Sequence, residues 1–269
     1  GVSGTGSIVA DHLARLGFGA IVILDFDRIE AKNLNRILNS TLADAARGRL
    51  KVEMFAAAIA EHRADAEVVP VPDSILSRTA VEAAASCDII FSCVDSSEGR
   101  QIADLLAQAF LIPMIDMGVT IPTRRTSEGE PAVAEVLGRI DYVQPGRSTL
   151  ASREVFTAAS LRAEYLAREA PDVHAVEVKE GYIKGAPTEA PSVLPLNMRA
   201  ASAAVLEYVA RAFPFRHEGN AAFARTLFRL AEGDEERFAE TDFDGGGGHL
   251  LGAGAAEPLL GLPELGHPS

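Results

Sequence analysis

The chain has 269 residues, 48% of them hydrophobic, and carries a formal net charge of -13. That length suits one large α/β domain or one domain with an appendage, and so acidic a surface repels phosphate backbones and excludes nucleic acid as a main partner. Its two cysteines, Cys87 and Cys93, are too few for a disulfide framework, no apolar run approaches the ~20 residues that span a bilayer, and no signal peptide opens the chain, so the expectation is a cytoplasmic protein with no membrane partner.

Gly1-Val2-Ser3-Gly4-Thr5-Gly6-Ser7 is a glycine loop running straight into an amphipathic helix whose apolar side is Ile8, Leu13, Leu16 and Phe18. Residues 20–25 are an apolar run ending in Asp25, the pattern of a buried parallel strand. Helices are predicted over 52–61, 79–86 and 98–110, and strands over 67–71, 88–94 and 113–119. Strands alternating with helices in this way argue for a doubly wound, Rossmann-like parallel sheet. A phosphate-binding glycine loop normally follows a strand. Nothing precedes Gly1, so a first, central strand is expected ahead of it in a longer chain. From about Thr120 the texture changes to a charged loop, one or two antiparallel strands within 132–143, helices over 158–170 and 196–213, and a hairpin from 225–230 and 237–241. Residues 181–195 read as a Pro- and Gly-punctuated loop. The expected organisation is a nucleotide-binding core over 1–119, a completing region of crossover loop, antiparallel strands and helices over 120–244, and a flexible glycine-rich tail over 245–269.

The candidate chemistry begins at the loop. Small residues at Gly1, Gly4 and Gly6 let backbone approach a phosphate chain, and the helix N-terminus that follows favours negative charge. Asp25 lies about 20 residues on, where a strand-end carboxylate commonly accepts ribose hydroxyls. The same pair is also compatible with a plain structural turn. Asn33 and Arg36 follow in Asp25-Phe26-Asp27-Arg28-Ile29-Glu30-Ala31-Lys32-Asn33-Leu34-Asn35-Arg36, and Lys51 opens the next helix. Two cations there can neutralise a triphosphate and stabilise charge developing at its α-phosphorus. Asp95 ends the 88–94 strand, where a carboxylate can hold Mg²⁺ against phosphates. Asp95-Ser96-Ser97-Glu98 also fits a capping box for the next helix.

The order of glycine loop, D-x-D-x-I-x-x-x-N-L-x-R, downstream Lys and strand-end Asp resembles the ThiF/HesA/MoeB adenylyltransferases and ubiquitin-activating enzymes. The resemblance covers at least residues 1–119, with weaker landmarks at 138–146 and 190–193. It implies that Asp25 binds the ATP ribose, that Asn33 and Arg36 contact phosphates, that Lys51 reaches the α-phosphate region and that Asp95 organises Mg²⁺. It further implies a ubiquitin-like or sulfur-carrier protein as partner, its C-terminal glycine carboxylate adenylated with release of pyrophosphate, and a homodimer as active form.

There are departures. Ser3 stands where many relatives have a further glycine. Many also carry a C-x-x-C zinc pair after a P-G turn, where this chain has Thr149 and Ser152. Hydroxyls are poor zinc ligands, so no zinc is expected, and the 145–156 segment is expected to be held by Leu150, Val155 and Phe156 instead. The six histidines are scattered without metal-ligand spacing. The alternatives are a dehydratase adenylating a modified tRNA and a non-catalytic scaffold half of a heterodimeric activating enzyme. The acidic charge counts against the first, and the joint presence of Arg36, Lys51 and Asp95 against the second. A nicotinamide oxidoreductase needs neither Arg36 nor Lys51.

Overall fold

The computed structural model describes residues 1–180, 192–246 and 248–266. Helix α1 (Gly4–Arg15) turns Ile8, Val9 and Leu13 inward, and β1 (Ala20–Leu24) follows with Ile21 and Ile23 buried. Helix α2 (Leu42–Arg47) is a short turn capped reciprocally by Thr41 and Asp44. Helix α3 (Lys51–Ala60) buries Val52, Met54, Phe55 and Ile59 and leads to β2 (Glu67–Val71). Pro70 removes a ladder donor, which a strand tolerates at a sheet edge, and β2 is such an edge. Then come α4 (Arg78–Ala85), β3 (Ile90–Ser92), α5 (Ser97–Ala109) and β4 (Met114–Thr120). The second half adds the small β5 (Thr123–Arg125) and β6 (Pro131–Val133) hairpin, β7 (Leu137–Val143), α6 (Ala158–Glu169), α7 (Pro171–Glu180), α8 (Leu194–Ala212), β8 (Arg225–Arg229) and β9 (Asp234–Phe238).

The expected Rossmann-like sheet, read without its first strand, is found in two parts. β1 and β2 pair in parallel from Ala20 opposite Glu67 to Leu24 opposite Val71. A separate five-stranded sheet runs β3-β4-β7-β8-β9, parallel between β3 and β4 and antiparallel thereafter. β1 and β3 each keep one unpaired edge, and residues of both line the same cavity. This also shortens β3: the sequence reads 88–94 as strand, but only Ile90–Ser92 find partners, on β4 alone. The antiparallel strands read from the second half are present, the last at 234–238 where 237–241 was expected, and β4 pairs with β7 across the expected boundary at 119/120.

α8 packs on α1 and on β4 and β7, building the main core from Ile8, Ile21, Phe55, Met117, Ala204 and Phe228. A second cluster joins Val81, Ile102 and Leu106 to Leu259, Leu260 and Leu265. The flexible tail expected over 245–269 is therefore corrected over its packed part. Those leucines are no more than 2% exposed, and each buried side chain is worth roughly 1.5–3 kcal/mol. Arg78 adds hydrogen bonds to both carboxylate oxygens of Glu257, at 2.7 and 3.1 Å, and to the Leu265 carbonyl at 2.9 Å. No helix among the described residues is long and apolar enough to cross a membrane.

Candidate active site

A cavity opens beyond the carboxyl ends of β1 and β3, between the glycine loop and the starts of α3 and α5. Gly1, Gly6, Asp25, Lys51 and Asp95 all line it. Gly6 has to be glycine, because a Cβ there would lie 1.8 Å from the Gly1 carbonyl oxygen. Gly4 stands outside the cavity and serves packing: its Cβ would lie 2.4 Å from Asn197 Nδ2 on α8. No side chain caps α1, so its first-turn N–H groups are left toward the loop.

Asp25, 8% exposed, ties this loop to β1. Its Oδ2 accepts from the Val2 N–H at 2.7 Å and its Oδ1 from the Asp27 N–H at 2.9 Å. A carboxylate offers about four lone-pair sites, so acceptor capacity remains for a ligand. Lys51 is buried beside it, with Nζ 2.6 Å from Asp27 Oδ2 and 3.8 Å from Asp25 Oδ1. Backbone bonds fix that approach, since Lys51 N–H donates to the Asp27 carbonyl at 3.0 Å and Ile29 N–H to that of Arg49 at 2.8 Å.

Asn33 and Arg36 do not line the cavity. Asn33 is buried and shapes the loop, its Oδ1 accepting the Glu30 N–H at 3.0 Å. Arg36 donates from Nη1 to the Lys32 carbonyl at 2.9 Å and to Asn35 Oδ1 at 3.2 Å, so any phosphate contact requires it to leave them. On the β3 side, Asp95 is exposed and its carboxylate has no partner among the described residues. The cap of α5 is the next residue, Ser96, whose Oγ accepts the Gly99 N–H at 3.1 Å. Asp95 is thereby left free of capping. A single strand-end carboxylate of this kind fits Mg²⁺, which keeps most of its shell for phosphate and water.

The sequence matches the ThiF family over residues 1–231. The chain belongs to the ThiF family. It is 30% identical over 158 residues to ubiquitin-like modifier-activating enzyme 5 of Drosophila willistoni, covering 54% of this chain and 35% of that protein. To the enzyme of the same name from Caenorhabditis elegans it is 27% identical over 156 residues, 55% of this chain and 34% of that one. The chain thus spans about a third of the length of these curated relatives. Among solved structures, E. coli MccB with ATP superposes with a TM-score of 0.63 at 17% identity, over 89% of this chain and 62% of that one. PaaA gives 0.61 at 17%, over 91% and 62%. These show the fold.

In this ThiF-family chain the 145–156 segment is held by packing and by charge. Leu150 and Phe156 are buried and Val155 packs against them, as expected. Thr149 and Ser152 close their own turn, the Thr149 N–H donating to Ser152 Oγ at 2.9 Å and the Ser152 N–H to Thr149 Oγ1 at 3.1 Å. From α5, Asp104 accepts the Leu150 and Ala151 N–H groups at 3.0 and 3.2 Å, and Gln108 accepts that of Gly146 at 2.8 Å. Arg153 is the hub beneath. It donates to Asp141 at 3.0 Å, Glu240 at 3.1 Å, Ser148 Oγ at 2.9 Å and the Ala224 carbonyl at 2.9 Å. Burial pushes its guanidinium down to about 10, still charged at neutral pH. Asp141 also binds Arg139 and Arg225, and Arg139 bridges to Asp116. Among the described residues no group of three or more His, Cys, Asp or Glu is placed to hold a metal.

Two residues of the mouth escape the sequence reading, Asp73 in the loop after β2 and Arg168 on α6. Arg168 lies in a helix rich in Arg, Glu and Ala, where no local signal separates it from a solvated cation.

Proposed function

We propose that this chain binds ATP with Mg²⁺ and adenylates the C-terminal glycine carboxylate of a ubiquitin-like or sulfur-carrier protein. What carries this reading is the pairing of a loop-anchored Asp25 and a buried Lys51 with a free Asp95 across one cavity. Asp25 reads the ribose through its spare lone pairs. Lys51 opposes charge growing on the α-phosphate in this reading, and a preorganised cation in a low-dielectric cleft acts more strongly than one in water. Mg²⁺ on Asp95 supplies charge neutralisation at the phosphates. The carrier carboxylate oxygen bonds to the α-phosphorus as the bridging bond to the β-phosphate breaks. Pyrophosphate leaves with that electron pair, and an acyl-adenylate remains. The active form is proposed to be a homodimer.

The test is carrier-dependent ATP–pyrophosphate exchange. Asp95→Ala is expected to lower the exchange rate by about 100-fold or more, the several kcal/mol that metal-assisted neutralisation supplies. Full exchange in that variant removes the metal role. Tight binding of a nicotinamide dinucleotide without binding of ATP removes the whole reading.

A further inference from the structure

The N-termini of α1 and α5 both border the cavity, through Ser3 and Gly6 on one and Ser96 and Gly99 on the other. The chain treats them differently. No side chain caps α1, which leaves its first-turn N–H groups to an anionic ligand. On α5 the first three helical N–H groups are taken. Glu164 of α6 accepts those of Ser97 at 2.7 Å and Glu98 at 2.9 Å, one on each carboxylate oxygen, and Ser96 Oγ accepts that of Gly99 at 3.1 Å. A helix N-terminus carries roughly half a positive charge, which beside Asp95 would oppose a bound cation. Resting on the Mg²⁺ site proposed above, we infer that Glu164 is its positioning residue. It fixes the turn that carries Asp95, and its charge makes that turn receptive to the metal.

The charges around the turn carry this. Arg100 donates to the Asp95 carbonyl at 3.4 Å and has Asp116 at 3.6 Å. Arg168 pairs with Glu98 and with its neighbour Glu169. Glu164 supplies the third anion, on the end of α5 itself. Arg100, Arg168 and the helix N-terminus thus each face a carboxylate, while that of Asp95 has no partner among the described residues. With no bond of its own, the Asp95 side chain points where the backbone from Val94 to Glu98 aims it. Glu164 holds that backbone from outside through two charge-assisted hydrogen bonds, the stronger kind. Seating α6 does not depend on Glu164 alone, because Leu161, one turn earlier, packs against the cluster of Ala103 and Leu150. The carboxylate is therefore free to act on the turn rather than merely to anchor its own helix.

The experiment is calorimetric titration of ATP, in excess Mg²⁺ and in EDTA, into wild type, Asp95→Ala, Glu164→Gln and Glu164→Asp. Wild type is expected to bind ATP more tightly with Mg²⁺, and Asp95→Ala to lose that preference. Glu164→Gln keeps the length and an acceptor oxygen but not the charge. It is expected to bind ATP about tenfold more weakly with Mg²⁺ and no more weakly in EDTA. Glu164→Asp keeps the charge on a shorter arm and is expected to fall between. A mere tether of α6 weakens both forms alike or neither, and either outcome in Glu164→Gln makes the inference wrong. Should Glu164→Gln melt early, Glu164→Asp decides: a loss of preference as large as that of Asp95→Ala leaves the charge no part and overturns the inference. A wild type without the Mg²⁺ preference, or an Asp95→Ala that keeps it, overturns the metal role proposed above, and this inference falls with it.

Discussion

Asp104 shows what a single buried carboxylate does in this fold. It sits on α5 with two backbone N–H groups of the 145–156 segment on its oxygens, yet desolvation outweighs them and raises it to about 6. An unfolded aspartate titrates near 3.9. As pH falls from about 6 to about 4, the folded protein therefore takes up a proton that the unfolded chain does not, and this group adds stability; as pH rises through that window the contribution is lost. Asp104→Asn keeps one acceptor oxygen and cannot titrate. The wild type's stability relative to Asp104→Asn is expected to be greater at pH 4.5 than at pH 7, by about 2 kcal/mol, in urea melts. The same difference at both pH values would place Asp104 in the ordinary carboxylate range. Single-residue chemistry was legible where it is local in sequence. Asp25, Lys51 and Asp95 fall within motifs of fixed spacing, and the structure brings them to one cavity. Arg168 was not, since its approach depends on Glu164 finding the start of α5, 66 residues away along the chain.

Among the elements, the packed tail is the one whose contribution is most readily measured. Leu265→Ala removes a fully buried side chain from the second core cluster and is expected to cost about 2–5 kcal/mol. Arg78→Ala removes the bonds to Glu257 and the Leu265 carbonyl, and is expected to lower the melting temperature in the same direction. Unchanged melting in both variants would mean the tail is not docked in solution. The sequence hid this element because Glu257-Pro258-Leu259-Leu260-Gly261-Leu262-Pro263 has no helical or strand period. Strongly periodic segments were legible: α3, α5 and α8 lie within two residues of their expected bounds, whereas α1 already begins at Gly4, inside the stretch read as loop, and ends at Arg15, short of Leu16 and Phe18. Helix α7, over a stretch the sequence reading left unassigned, begins at Pro171, and proline is at home at a first helical position. The 181–191 part of the expected loop lies outside the described residues. The ionic layer of Asp116, Arg139, Asp141, Arg153, Arg225 and Glu240 was invisible for another reason. Its members come from separate strands and loops, and only the sheet register brings them within hydrogen-bond range.

For the molecule as a whole, the cysteines decide how far the chemistry can go. A thioester needs an accessible thiolate near the adenylate. Burial pushes the Cys93 thiol up to about 11, and desolvation raises Cys87 as well. The acyl-adenylate is therefore expected to pass to a thiol or persulfide carried elsewhere. After incubation with carrier and ATP, non-reducing gels should show no thiol-sensitive adduct that vanishes in Cys87→Ser or Cys93→Ser; such an adduct would refute this. The Arg153 joint has a consequence for where such a protein can work. The 145–156 turn is closed by hydroxyls and tied to α5 and the five-stranded sheet by charges the chain itself carries. A joint of thiolates and metal fails when a chelator strips it or an oxidant caps its sulfurs. This one has no thiolate among its bonds and offers neither reagent a target there, and because Arg153 and Asp141 are fully buried, salt screens their pair little.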